Sequence, residues 1–190
     1  MNNIQAIFPN KQINNHNKDL YIADYSEQTK TTYRKKGVKL SDNKPNDIES
    51  FHIKNDKNLS FSSIILDKKD LIDREGNPQK HCECALFPYL ENPNNWILFV
   101  ELKYSYSKNI DNKIREAEEQ LFSTYNYFKE NEIINNKKLS YLIISFPKKQ
   151  PPFTNFIESP SNIIKNKRKK NIILRYTNSI KIDNTTKLSF

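Results

Sequence analysis

An α/β fold with a mixed central sheet is predicted by three features of the 190-residue chain. Residues 96–104 open with Trp-Ile-Leu-Phe-Val, an apolar run without alternation, as in a strand covered on both faces. Residues 111–129 repeat Ile114, Ala117, Leu121, Tyr125 and Phe128 at steps of three and four, the period of a helix with one apolar stripe. Residues 139–146 are a further apolar strand, so a helix joins two buried strands.

The remaining elements follow from local chemistry. Residues 1–58 are polar and rich in Asn and Lys, with short apolar clusters such as Leu20-Tyr21-Ile22, and predict an irregular arm with one strand and one short helix. The stretch 61–66 is β-prone, and the turn formers in 73–78 end it. A second strand is expected over 81–88, and the Asn/Pro turn within 89–95 leads into the strand at 96–104. Asp111 is placed to cap the helix. Pro147 and the pair Pro151 and Pro152 stop the strand at 139–146, and 171–182 reads as one last strand. A single domain results, with residues 1–58 as the arm and 59–190 as a core carrying a basic carboxy-terminal extension.

Composition narrows the function. Lys and Arg number 31 against 22 Asp and Glu, a net +9 that favours a polyanionic partner. Residues 147–190 hold ten of the basic residues against only Glu158 and Asp183, so the charge is concentrated there. With only Gly37 and Gly76, no loop can form the closely spaced glycines of Walker, dinucleotide or kinase phosphate-binding loops. Three scattered histidines, His16, His52 and His81, are too few for a multi-histidine metal site. Cys82 and Cys84 are too few for a disulfide framework and read as small buried hydrophobes in a reducing interior. No apolar run approaches the roughly 18 residues of a membrane span, and no export signal opens the chain, so a cytoplasmic protein is expected.

The chemistry is carried by carboxylates. If 81–88 and 96–104 form a hairpin centred on Asn92, residue 83 falls opposite 101 and residue 81 opposite 103. Opposed side chains lie about 4.5 to 5.5 Å apart between Cβ atoms. His81, Glu83, Glu101 and Lys103 then share one face, while Cys82, Cys84, Leu86, Leu98, Val100 and Leu102 form an apolar face suited to packing under a helix. Adjacent carboxylates repel each other unless a divalent cation lies between them. Mg²⁺ takes oxygen ligands and keeps water, so two carboxylates, a backbone carbonyl and a substrate phosphate suffice; Mn²⁺ is the natural substitute. Lys103 adds a cation beside the phosphoryl oxygens.

The pattern Cys82-Glu83-Cys84, then Phe99-Val-Glu-Leu-Lys103, then Ala117-Glu-Glu-Gln-Leu121 resembles the PD-(D/E)xK nuclease superfamily over residues 60–146. The resemblance implies a restriction-endonuclease-like αβββαβ core. It also implies Glu83 and Glu101 as metal ligands with the carbonyl of Leu102, Lys103 orienting or activating water, and Gln120 bordering the site. The implied activity is Mg²⁺-dependent cleavage of nucleic acid, DNA before RNA, in defence, restriction or repair. So short a chain is expected to dimerise or to be delivered by a partner protein.

Other residues offer alternatives. A bulge in the hairpin would make Asp70 or Asp73 the better first acid. Glu49 is a candidate additional acid. His52-Ile-Lys54 resembles the start of a phospholipase D-type motif, but Leu59 stands where its Asp is due. Lys165, Lys167, Arg168, Lys169, Lys170 and Arg175 form a basic segment suited to a phosphate backbone. Two other functions fit parts of the pattern: a non-catalytic nucleic-acid-binding or complex-assembly protein on the same scaffold, with Glu instead of Asp at position 83, and a ribonuclease.

Overall fold

The computed structural model describes residues 2–28, 37–90, 92–104, 110–149 and 171–190. Two short helices and four strands occupy the amino-terminal third: α1 (Asn2–Ile7), β1 (Asn14–His16), β2 (Leu20–Asp24), α2 (Tyr25–Gln28), β3 (Val38–Ser41) and β4 (Phe51–Lys54). There follow β5 (Phe61–Ile65), β6 (Cys84–Pro88), β7 (Ile97–Leu102), α3 (Ile110–Glu130), β8 (Ser140–Ser145), β9 (Ile172–Tyr176), β10 (Ser179–Ile182) and β11 (Leu188–Ser189). The fold is α/β with mixed sheets.

The first sheet has the order β1-β5-β6-β7-β8-β9. Its strands β5, β6 and β7 run antiparallel in succession. Reversing direction once more would make β8 antiparallel to β7, but α3 carries the chain back along the sheet, so β8 pairs with β7 in parallel, and β9 with β8 likewise. Every residue of β7 and β8 is buried, as their unbroken apolar runs predict. The hairpin register is the predicted one over Cys84–Val100, Ala85–Phe99 and Leu86–Leu98.

A second sheet, ordered β11-β10-β4-β2-β3, packs on the first. Leu20, Ile22, Phe51 and Ile53 face Cys84, Leu86, Leu98 and Val100 in one core. The opposite face of the first sheet, with Ala85, Ile97, Phe99 and Leu142, packs under Ala117, Leu121 and Phe128 of α3. Phe99 and Phe128 meet edge to face at 5.1 Å between ring centroids. The apolar face expected under a helix is therefore covered by a sheet, and the helix lies on the face that carries Glu101.

Three other expectations are corrected. The segment read as an irregular arm with one strand contains four, each of only three to five residues. Alternation over so few residues, such as buried Phe51, half-buried His52, buried Ile53 and exposed Lys54, does not rise above a polar background. The last strand is two: β9 belongs to the first sheet and β10 to the second, with Thr177 and Asn178 between. Asn178 explains the break. Its backbone carbonyl accepts from His52 N–H at 3.0 Å in the second sheet, while its amide receives Phe146 N–H and donates to Phe146 O, each at 3.0 Å, at the end of β8. Asp111 stands inside the first turn of α3, where its charge still complements the helix dipole, instead of capping it.

Candidate active site

Along β7, side chains alternate between the two cores, so Glu101 follows Ile97 and Phe99 onto the face beneath α3. Lys103 continues the alternation and the parallel ladder, giving its N–H to Ser145 O at 2.9 Å. Glu101 is 0 % exposed and Lys103 3 %. Charges so deeply buried need partners. Lys103 Nζ lies 2.7 Å from Glu101 Oε1 and donates to Gln120 Oε1 of α3 at 2.9 Å.

Gln120 completes the arrangement by donating through Nε2 to His81 O at 3.0 Å. One turn on, Thr124 Oγ1 accepts Cys82 N–H at 2.9 Å and donates to Gln120 O at 2.9 Å. Residues 81–83 precede β6 and lack a full ladder, so their backbone groups need other partners. Helix α3 supplies two from successive turns. Of the predicted residues, Glu101, Lys103 and Gln120 thus meet directly, with the His81 backbone beside them. Position 124 was not singled out from the sequence, although its spacing of four from Gln120 marks the same helix face.

Glu83 sits at a bulge. Its carbonyl stays in register with β5, accepting Leu66 N–H at 3.0 Å, but its N–H donates to Val100 O at 3.1 Å, one residue out of the Cys84–Val100 register. The extra residue resets the alternation. Cys82 joins the core under α3 and Cys84 the core between the sheets, so the two thiols do not share a face as expected. Burial raises both thiol pKa values, and the charges of Glu101 and Glu83 both add to the effect. Glu83 and His81 are half-buried, whereas Glu101 and Lys103 are buried. Because β7 directs alternate carbonyls to alternate neighbours, Leu102 O points to the same edge as Val100 O, beyond the end of β6.

The bulge does not bring in the other acids. Asp70 pairs with Lys11 at 2.7 Å and accepts Asp67 N–H at 2.6 Å. Asp73 accepts the N–H groups of Glu75 and Asn77, closing its own turn. Glu49 contributes a carbonyl, which accepts the Tyr104 hydroxyl at 2.8 Å, while its side chain is exposed. His52 binds Asp19 Oδ2 at 2.8 Å and stacks on Tyr21. A carboxylate that the sequence reading passed over, Glu116, lies one turn before Gln120. A hydrogen bond from Lys113 lowers its pKa, against the opposing effect of burial, and the charge of Lys103 lowers it further.

Lys165, Lys167, Arg168, Lys169 and Lys170 lie outside the described residues. Arg175 is exposed on β9, two strands from β7, with its guanidinium 5.6 Å from the Phe190 ring centroid. Among the described residues no three of His, Cys, Asp and Glu cluster as a metal site would require, and no helix is long and apolar enough to cross a membrane. No family model, curated protein or solved structure matches the chain.

Proposed function

We propose that the chain is a Mg²⁺-dependent nuclease of the PD-(D/E)xK type, acting on DNA in preference to RNA. The observation that carries the reading is the Glu101–Lys103–Gln120 contact, made where three antiparallel strands, a crossover helix and a parallel strand follow one another. That succession follows the order of the βββαβ part expected of a restriction-endonuclease-like core.

The donors this reading assigns to Mg²⁺ are oxygens of the hard kind it prefers: Glu101, Glu83 in the bulged segment before β6 and the Leu102 carbonyl. Two carboxylates and a carbonyl are compatible with the absence of a three-acid cluster among the described residues, because Mg²⁺ retains waters. Bound there, the ion would polarise a phosphoryl oxygen and lower the pKa of water. Lys103 holds a positive charge beside the reacting phosphate, and Gln120 fixes that ammonium by occupying one of its donor directions. The 81–83 backbone, held by Gln120 and Thr124, sets the position of Glu83 relative to β7.

Incubation of supercoiled plasmid with the protein in Mg²⁺, Mn²⁺ or EDTA tests the reading, with Glu101→Ala and Lys103→Ala as controls and an RNA of matching sequence in parallel. Cleavage in metal that EDTA and both substitutions abolish is expected. Cleavage that survives both substitutions excludes this site. A non-catalytic nucleic-acid-binding protein on the same scaffold is the second reading. It is favoured by the near-complete burial of Glu101 and Lys103 against each other, and binding without cleavage in any metal would establish it.

A further inference from the structure

Two open clefts of similar size lie apart from the Glu101–Lys103 pair and differ in charge. One, of about 600 Å³, is lined by Asp73, Glu75 and Glu130 against Arg74, a net negative set. The other, of about 520 Å³, is lined by Lys39 and Lys44 with Tyr25, Ser41, Asn43 and Asp47. Among the described lining residues the one acid, Asp47, accepts the Tyr25 hydroxyl at 2.7 Å through Oδ1. The described lining thus presents two ammonium groups against one carboxylate.

The lysines are displayed and not buried for stability. Val38 and Leu40 of β3 pack toward the core between the sheets, and the alternate position Lys39 is exposed. Lys44 is exposed in the following turn, which Ser41 shapes by donating to Asn43 O at 2.8 Å and accepting Asn43 N–H at 3.2 Å. Through the core between the sheets, the cleft is linked to the chain beside Lys103. Asp24, the residue before Tyr25, gives its backbone N–H to the Tyr104 hydroxyl at 3.2 Å, and Tyr104 follows Lys103. One hydrogen bond and two peptide links join them.

We propose that this cleft binds the backbone phosphates of a DNA strand. The inference deepens the nuclease reading and rests on it for the identity of the polymer. Each lysine neutralises one phosphate and releases its counterion, a contribution that falls with salt and carries no base information. The cleft of opposite charge serves as an internal control, because a polyanion is repelled there.

Fluorescence anisotropy of a labelled DNA duplex with the full chain, in EDTA over a series of KCl concentrations, tests the proposal. Lys39→Ala/Lys44→Ala is expected to weaken binding about tenfold or more and to reduce the slope of log K against log salt by about 2, at an unchanged melting temperature. Arg74→Ala is expected to bind as the wild type does. Wild-type affinity and slope in the double variant overturn the proposal, as does absence of DNA binding by the wild type. Plasmid cleavage assayed alongside separates the two ideas. Weakened binding by the double variant, where the wild type cleaves nothing, upholds the cleft and removes the nuclease; cleavage with unchanged binding removes the cleft alone.

Discussion

Lys103 and Gln120 meet at 2.9 Å across the junction of β7 and α3, and the other end of the Gln120 amide holds His81 O at 3.0 Å. One neutral side chain thus fixes both the buried ammonium and the segment before β6 that bears Glu83. Gln120→Leu removes both bonds, whereas Gln120→Glu keeps an acceptor for Lys103 and loses the donor to His81. Loss of such a supporting contact is expected to lower metal-dependent cleavage about 10- to 100-fold. Leaving the His81 carbonyl unsatisfied is expected to cost about 1–3 kcal/mol in either variant. Plasmid cleavage and urea unfolding measure the two effects. Full activity in Gln120→Leu would show that the helix amide plays no part in the site.

The Glu101–Lys103 pair has a distinct stability signature. Removing one member strands a buried charge, so Glu101→Ala and Lys103→Ala are each expected to destabilise by about 3–5 kcal/mol. Replacing both, as Glu101→Gln/Lys103→Met, is expected to cost much less than the sum, since neither charge is then left behind. A double-mutant cycle read by urea unfolding measures the coupling. Additive costs would mean that the two groups do not depend on each other in the folded state.

Much of this was legible because long strands and one long helix speak clearly. The apolar run before Glu101, the Asn92 turn and the stripe from Ile114 to Phe128 predict β7, its register and α3, and hence the neighbourhood of Glu101, Lys103 and Gln120. The bulge at Glu83 was not legible, since one extra residue leaves composition unchanged and is set by what the backbone bonds to, here Thr124 and Val100. Nor was the second sheet. Its short strands gain their burial only from packing on β6 and β7, a tertiary effect that local periodicity does not record.

Asn178 joins the two sheets at the turn between β9 and β10. Besides its bonds to Phe146 and His52, its side chain accepts Ser145 Oγ–H at 2.9 Å and donates to Lys149 O at 2.6 Å. Ser145 O in turn receives Lys103 N–H. Asn178→Ala removes four side-chain hydrogen bonds at about 1 kcal/mol or less each, a total of about 2–4 kcal/mol. At about 2–4 °C per kcal/mol, the melting temperature is expected to fall by roughly 5–15 °C. Asn178→Asp keeps the acceptor and loses the donor, and should lie between. A change below a degree in Asn178→Ala would show that apolar packing alone holds the sheets together.

Asp19 ties the start of β2 to β4, and its pKa gives the sign of a pH effect. The Asn55 N–H at 2.8 Å holds the carboxyl below its usual range, burial opposes this, and His52 at 2.8 Å lowers it further. A depressed folded-state pKa means that the carboxylate stabilises the fold above its unfolded value of about 3.9, and that this contribution disappears as pH falls through the folded value. Asp19→Asn should therefore melt below the wild type at neutral pH, and the gap should narrow as pH drops from about 5 toward 3. Melting curves of both proteins across that range measure it. A gap that stays constant with pH would show that Asp19 acts through hydrogen-bond geometry alone, with no contribution from its charge.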